Sequence, residues 1–150
     1  VLDVLRKEVP NHDIIIHAMA VSDYTIDSVK DEYGTILHEA KISSGHERLG
    51  IVLVPSPKLI SEIKELNPEI QLIGFKLLSH VDELELIEAA DKVRIENDCD
   101  YVVANDLQFI TADTHKALFV DRDGVSGTAR TKEQIVELML AIMKGRGEVR

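Results

Sequence analysis

The stretch Asp13-Ile14-Ile15-Ile16-His17-Ala18-Met19-Ala20-Val21, which runs into Ser22-Asp23-Tyr24, indicates the fold class of this chain. It is a short apolar run, typical of a strand that is buried on both faces of a parallel sheet. Three later runs have the same character, at residues 50–54, 71–75 and 101–104. Because helical stretches alternate with these runs, the sequence predicts an α/β fold, a three-layer domain with a mainly parallel sheet.

Polar residues follow each of the four runs, where each predicted strand ends. They are Ser22-Asp23, Pro55-Ser56-Pro57, Lys76 and Asn105-Asp106. In an open parallel sheet, ligands bind outside the carboxyl ends of the strands. We therefore expect a binding cleft at this end of the sheet.

The rest of the pattern supplies the helices and the last strands. Ser56 is a good N-cap, and Pro57 fits a first helical turn, so a helix is expected to open there. The dipeptide Asp123-Gly124 between two apolar runs is typical of a hairpin turn. The predicted elements are helices at 56–66, 82–98 and 131–144, a short strand at 35–41 within a polar excursion at 25–49, and a late β-hairpin at 117–125.

Length and charge limit the kind of partner. The chain has 150 residues and a net charge of −10 at pH 7, and one domain is the natural expectation for this length. Nucleic-acid binding depends largely on Lys and Arg, so no nucleic-acid partner is expected. A nucleotide remains compatible, because a few lysines, helix N-termini and a divalent ion can hold its phosphates. No apolar run reaches the roughly 20 residues needed to cross a bilayer, so no membrane partner is expected.

Cysteine and histidine suggest no special site. The single cysteine, Cys99, cannot form an internal disulfide, which fits a reducing cytoplasm, and we interpret it as a small core residue rather than a nucleophile. The six histidines lack metal-ligand spacing, and neither usual glycine-rich phosphate loop is present. Because the chain begins at Val1 on a helical pattern, we expect that an N-terminal segment is missing.

One lysine stands in a suggestive setting. Lys41 lies in Ala40-Lys41-Ile42-Ser43-Ser44-Gly45, where small residues and glycine would let backbone N–H groups approach an anion. A lysine in a loop is far more often simply exposed to solvent, so this motif alone identifies no function.

Five short motifs taken in order resemble those of phosphopantothenate–cysteine ligase (phosphopantothenoylcysteine synthetase), a ligase of coenzyme A biosynthesis. They are Ala20-Val21-Ser22-Asp23-Tyr24, Lys41-Ile42-Ser43-Ser44, Pro57-Lys58-Leu59-Ile60, Gly74-Phe75-Lys76-Leu77 and Ala104-Asn105-Asp106. The lysine motif and Gly-Phe-Lys look more like the stand-alone ligases than the domain fused to a flavin decarboxylase. The chain resembles the C-terminal two thirds of such an enzyme.

This resemblance implies a Rossmann-like cytoplasmic enzyme, a dimer in this family, that uses a nucleotide and Mg²⁺. CTP, or ATP in eukaryotic members, would activate the carboxylate of phosphopantothenate as an acyl-nucleotidylate, and the cysteine amine would then displace the nucleotide. The catalytic asparagine and a glycine-rich wall would belong to the missing N-terminal segment, so the fragment alone is expected to be inactive.

The resemblance also implies roles for individual residues. Lys41 would contact the phosphates and assist the acyl intermediate, and Phe75 would pack against the nucleotide. The residues implied to bind nucleotide are His17, Ala18, Met19, Asp23, Lys41, Pro57, Lys58, Leu59, Ile60 and Phe75. Two alternatives remain at this point: a nucleotide-binding fragment without catalysis, and an unrelated α/β binding domain.

Overall fold

A computed structural model describes residues 1–38 and 41–147 of the chain. Its helices are α1 (Leu2–Glu8), α2 (Leu59–Leu66), α3 (Glu83–Glu96) and α4 (Lys132–Gly147), with a short 3₁₀ turn at Val9–Asn11. Its strands are β1 (Ile14–His17), β2 (Tyr24–Lys30), β3 (Ile36–Leu37), β4 (Gly50–Pro55), β5 (Gln71–Leu78), β6 (Tyr101–Ile110), β7 (His115–Asp121) and β8 (Gly124–Ala129).

The chain divides into two compact units. Val1–Met19 and Leu59–Arg150 form the first unit, and Ala20–Lys58, between β1 and α2, forms the second. This division describes contacts only, and the expectation of one nucleotide-binding domain stays a prediction.

The first unit contains a five-stranded sheet of order β1-β5-β6-β7-β8. Strands β1, β5 and β6 run parallel, and β7 and β8 complete the sheet as an antiparallel hairpin. The hairpin turns through Arg122-Asp123 into Gly124, whose φ of +110° lies in a region that favours glycine. The predicted α/β class and late hairpin are confirmed.

Two helix layers cover this sheet because successive residues of a strand point to opposite faces. The first core cluster joins β5, β6 and β7 to α1, α2 and α3, and it includes Leu72, Val102, Leu118, Leu5, Ile63 and Leu86. The second core cluster joins the other face to α4, and it includes Ile73, Val103, Phe119, Ile135 and Met139. The unit is therefore a three-layer α/β domain, as the sequence predicted.

The second unit is a three-stranded antiparallel sheet of order β3-β2-β4. The prediction that residues 50–54 belong to the parallel sheet is wrong, since β4 pairs with β2 instead. The stretch at 25–49, which was predicted as a mainly polar excursion, contains all but the first residue of the seven-residue strand β2. Of the strand predicted at 35–41, only Ile36–Leu37 forms, and Glu39 and Ala40 lie outside the described residues.

Several predicted boundaries are wrong, among them the end of β5, which continues past Lys76 to Leu78. Strand β1 ends at His17 rather than Val21, because the following residues lead into the other sheet. Helix α2 begins at Leu59 rather than at Ser56, since the Ser56 N–H donates to the Asp23 carbonyl at 2.8 Å and prolongs the β2–β4 pairing. Strand β6 continues through Asn105 to Ile110 because Asn105 still pairs in register with both neighbouring strands.

Two predicted helices are confirmed with their caps. The Asp82 carboxylate accepts the Glu85 N–H at 2.8 Å and caps α3. The Thr131 hydroxyl accepts the Gln134 N–H at 3.3 Å at the start of α4. None of the helices in the described residues is both long and apolar enough to span a membrane.

Candidate functional site

The carboxyl end of β1 lies beside the middle of β5, which continues to Leu78, and the sequence predicted a cleft beyond these strand ends. His17 pairs with Gly74 in parallel register. Gly74 lets the first turn of α2 approach the sheet: a Cβ at this position would lie 3.4 Å from Ile60 Cδ1 and 3.2 Å from Cys99 Sγ. The glycine of the Gly-Phe-Lys motif therefore has a packing role, which places Leu59 and Ile60 against the strand ends.

His17 is a buried polar side chain at this edge of the sheet. It is 8% exposed, and its Nε2 is buried with no hydrogen-bond partner among the described residues. Burial lowers the pKa of His17 below its ordinary value, against the opposing effect of its own backbone, so the imidazole is neutral at pH 7. A neutral ring keeps one nitrogen as an acceptor and one as a donor.

The other candidates of the first unit differ in placement. Ala18 and Met19 follow β1 and are exposed, with Met19 46% exposed. Leu59 is buried in the first core cluster, whereas Phe75 packs against the second core cluster on the opposite face of the sheet. Ile60 and Phe75 therefore lie on opposite faces of β5.

The second unit holds the remaining candidates. Asp23 and Pro57 lie at the same end of its sheet, because Tyr24 pairs with Pro55 and Ser56 bonds to Asp23. Lys58 follows Pro57, and both side chains are exposed. Lys41 is exposed in the connection between β3 and β4. The ten candidates thus divide between the two units, six in the first and four in the second.

Asn105 and Asp106 are buried structural residues of β6 rather than a polar strand end. Asn105 Nδ2 donates to the Lys116 carbonyl at 2.9 Å. The Asp106 carboxylate, 2% exposed, accepts the backbone N–H groups of His80, Val81 and Gln108 at 2.9–3.0 Å and the Gln108 side-chain amide at 2.8 Å.

These bonds decide the charge of Asp106. Burial by itself raises the pKa of Asp106, but the bonds to Gln108, Val81 and His80 outweigh it and lower the pKa to about 2. The ionised carboxylate fixes the segment that leads into α3. Two polar residues in an otherwise apolar run were the sequence signal for this anchor, which was interpreted only as a family motif.

A cavity of about 230 Å³, which was not predicted from the sequence, lies between α3 and the sheet. Its lining includes Leu86, Ala104 and Leu118, with Lys116 and Glu83 among the charged residues. Lys116 Nζ lies 2.7 Å from Glu83 Oε2 and 5.3 Å from the centre of the Phe109 ring. The lysine is therefore already paired within the protein.

The remaining groups that could react or bind a metal are the Cys99 thiol and the His, Asp and Glu side chains. Burial, reinforced by the nearby charge of Asp100, raises the pKa of the Cys99 thiol to about 12, so it remains protonated and serves as a core residue, as predicted. Within residues 1–38 and 41–147, no group of three His, Cys, Asp or Glu side chains is arranged to hold a metal ion.

The fold is that of a Rossmann-like α/β protein, a class in which ligands bind outside the carboxyl ends of the parallel strands. Residues 1–145 match the family described as DNA/pantothenate metabolism flavoprotein C-terminal domain, and the chain belongs to that family. The family assignment removes the alternative of an unrelated α/β binding domain. It also confirms the resemblance to the phosphopantothenoylcysteine synthetase domain, which is the C-terminal part of the bifunctional coenzyme A biosynthesis proteins.

Known proteins agree with this assignment. The chain is 34% identical over 139 residues to the coenzyme A biosynthesis bifunctional protein CoaBC of Thermococcus kodakarensis, covering 91% of the chain and 32% of that protein. It is 29% identical over 134 residues to CoaBC of Methanocaldococcus jannaschii, covering 88% of the chain and 31% of that protein. The chain thus spans about a third of the curated relatives it matches.

A solved structure shows the same fold. The DNA/pantothenate metabolism flavoprotein of Streptococcus pneumoniae is 39% identical to this chain, with a TM-score of 0.87. The match covers 97% of this chain and 68% of that one.

Proposed function

We propose that the polypeptide containing this chain is a phosphopantothenate–cysteine ligase of coenzyme A biosynthesis. The observation that carries the proposal is the family match over residues 1–145, together with an exposed Lys41 in the loop whose motif resembles that of the ligases. The relatives' names place them in the same pathway. A cytoplasmic location is part of the proposal.

The proposed reaction has two steps. A carboxylate oxygen of phosphopantothenate attacks the α-phosphorus of CTP, and the bond to pyrophosphate breaks, giving an acyl-cytidylate. The cysteine nitrogen then attacks the acyl carbon, CMP leaves, and the nitrogen loses a proton to form the amide. Negative charge develops on phosphate oxygens in both steps, so a positioned lysine stabilises the transition states.

Each group of candidate residues would bind a different part of the nucleotide. Lys41, exposed and mobile at its tip as lysine side chains are, would contact the phosphates. His17, Ala18, Met19, Pro57, Lys58, Leu59, Ile60 and Phe75 would line the rest of the nucleotide site, with Asp23 on its polar groups. The neutral His17 suits contact with an uncharged part of the nucleotide, because it carries no charge to attract a phosphate.

Mg²⁺ is proposed as the counter-ion of the triphosphate. This ion is usually held by one or two carboxylates together with substrate phosphates rather than by a protein cage. The exposed carboxylate of Asp23 is the candidate protein ligand, and the phosphates would supply most of the others. Bound there, the ion would neutralise charge on the phosphate oxygens. CTP is preferred to ATP only by the family resemblance.

A homodimer is part of the same proposal. On one face of the second unit's sheet, Ile26 pairs with Leu53 and Val29 pairs with Ile51. Tyr24, Ile26, Ile51 and Leu53 on this apolar sheet face are 53–58% exposed. Monomeric proteins rarely expose so continuous an apolar surface, and a second copy of the same face would cover it across a two-fold axis.

Substitution of Lys41 tests the ligase proposal. In the full-length polypeptide, Lys41→Ala should lower the rate of amide formation by two to three orders of magnitude, about 3 kcal/mol in the transition state. Lys144→Ala removes an exposed lysine of α4 and should leave the rate unchanged. Pyrophosphate release from CTP and amide formation with cysteine are the two readouts. Equal rates for Lys41→Ala and wild type would remove Lys41 from the reaction.

Ligand-dependent stability tests the choice of nucleotide. The fold should gain about 2.7 kcal/mol of stability from CTP with Mg²⁺ at 100 times its dissociation constant. NAD and a short DNA duplex should cause smaller shifts in melting temperature. A larger shift in melting temperature with NAD would contradict the proposed nucleotide site. A shift with CTP but no turnover in the full-length protein would favour the alternative of nucleotide binding without catalysis.

A further inference from the structure

Among residues 1–38 and 41–147, a side-chain pair joins the loop that carries Lys41 to the turn that begins at Asp31. His46 Nδ1 lies 3.2 Å from Glu32 Oε2, and the two side chains are only 24% and 20% exposed. Because a carboxylate can only accept hydrogen bonds, the imidazole Nδ1–H must be the donor.

Glu32 stands on a turn that its neighbour Asp31 makes rigid. Asp31 Oδ1 accepts the N–H groups of Tyr33 at 2.9 Å and Thr35 at 2.7 Å. The backbone closes the same turn, since Asp31 N–H donates to the Thr35 carbonyl at 3.0 Å. Gly34, with a φ of +86°, supplies the conformation that the turn requires. Glu32 is thus a fixed point for the loop.

The path from this fixed point to Lys41 is short and itself constrained. Only four residues lie between Lys41 and His46, and the Ser43 hydroxyl accepts the Gly45 N–H at 3.2 Å within that path. Lys41 makes no ion pair or hydrogen bond of its own among the described residues. The position of its ammonium group therefore depends on how the backbone of the loop is held.

We propose that His46 and Glu32 are positioning residues that hold the Lys41 loop in place for the ligase reaction. This inference rests on the proposed function. The pair contributes nothing to the chemistry directly, and its effect on the rate is transmitted entirely through Lys41.

The test combines substitutions of the pair with substitution of Lys41 in the full-length polypeptide. His46→Ala should lower kcat/KM for CTP by about tenfold, less than the hundredfold that a misplacement of about 1 Å can cost. Glu32→Ala should do the same, and the double variant should be no worse than either single one. In a Lys41→Ala background, His46→Ala should have no further effect. A residue that merely stabilised the fold would still lower the rate there.

Two further variants serve as rescue and control. His46→Asn keeps a nitrogen donor on the γ-carbon, where Nδ1 is attached, and should recover most of the activity. Glu47→Gln changes an exposed acid of the same loop that makes no hydrogen bond or ion pair in the described part of the chain, and this variant should have wild-type activity.

The outcomes separate the two proposals. An active wild type with an equally active His46→Ala overturns the positioning role alone. So does a further rate loss from His46→Ala in the Lys41→Ala background, or no recovery with His46→Asn. An inactive full-length wild type overturns the ligase proposal, and the positioning role with it. If His46→Ala fails to fold, Glu32→Ala, measured with and without Lys41→Ala, supplies the same comparison.

Discussion

Gly74 offers a direct test of whether the Gly-Phe-Lys motif is constrained by packing. The residue is fully enclosed in β5, and an added Cβ would meet Cys99 Sγ at 3.2 Å, Ile60 Cδ1 at 3.4 Å and Val102 Cγ2 at 3.7 Å. The first distance is tighter than ordinary van der Waals contact, so Gly74→Ala forces Cys99 to shift by a few tenths of an ångström.

Two opposing effects set the size of the change. Overpacking a close-packed core typically costs about 1–3 kcal/mol. Replacing glycine by alanine reduces the entropy of the unfolded chain and returns about 0.4–1 kcal/mol. Since the contacts are too close by only a few tenths of an ångström, we expect Gly74→Ala to lower the free energy of unfolding by about 1 kcal/mol.

A double-mutant cycle with Cys99 isolates the contact. Cys99→Ala removes the sulfur, so the double variant should be more stable than the sum of the two single changes predicts, by about 1 kcal/mol. The measurement is urea unfolding followed by far-UV circular dichroism. Gly145→Ala is a matched control, because a Cβ there meets nothing within 4 Å in α4 and should stabilise by about 0.8–1 kcal/mol. Additive effects of Gly74→Ala and Cys99→Ala, or an unchanged stability of Gly74→Ala, would refute the packing argument.

Three further predictions concern acid stability, assembly and activity. Asp106 has a pKa of about 2 in the folded chain, below the value of about 3.9 in an unfolded chain, so its contribution to stability is complete above about pH 4 and is lost as the pH falls toward 2. The melting temperature should therefore fall less steeply from pH 5 to 4 and 3 for Asp106→Asn than for the wild type. Equal slopes for the two proteins would exclude the anchoring role of Asp106. Ile26→Asp on the apolar sheet face should convert the dimer to a monomer, as measured by sedimentation velocity. Thr25→Asp on the opposite face should leave the dimer intact. A monomeric wild type would contradict the proposed homodimer. The 150-residue chain alone should release no pyrophosphate from CTP with phosphopantothenate, because catalytic groups must be preorganised and relatives are longer; turnover at the full-length rate would show that the carried-over active site is wrong.

The elements with a local signal were predictable from sequence. Helix α3 has its cap at Asp82, and the β7–β8 hairpin has Asp123-Gly124 at its turn. Both signals act through neighbouring residues, so they need no knowledge of the rest of the fold.

Sheet membership could not be read in the same way. The apolar residues of β4 have the composition of a strand buried on both faces, yet they are exposed in a small antiparallel sheet. Hydrophobicity reports that a side chain needs a nonpolar neighbour, and it does not identify which strand or which molecule supplies that neighbour. Strand β2 was missed although its apolar and polar residues largely alternate, because the surrounding turns dominated the interpretation of that stretch.

The candidate site was predictable only as a list of residues. His17 and Ile60 both lie beside Gly74, the first by strand pairing and the second because glycine admits α2 closely, and this placement depends on tertiary packing. The His46–Glu32 pair joins residues fourteen apart across a loop, and no motif marks it. Asp106 was recognised by its motif, but its role as an anchor depends on the backbone N–H groups of His80 and Val81, which lie 26 and 25 residues away in the sequence.

The antiparallel pairing of β2 with β4 also bears on how the chain folds. Before β1 can pair with β5, the chain must bring together segments that are separated by the whole of Ala20–Lys58 and by α2. The β2–β4 ladder joins Tyr24 to Pro55, so the two ends of the intervening unit are adjacent once it has formed. A loop shortened in this way loses less entropy on closure. Early formation of the small sheet should therefore accelerate pairing of the parallel strands, and a substitution that weakens β2–β4 should slow refolding of the large sheet without touching it.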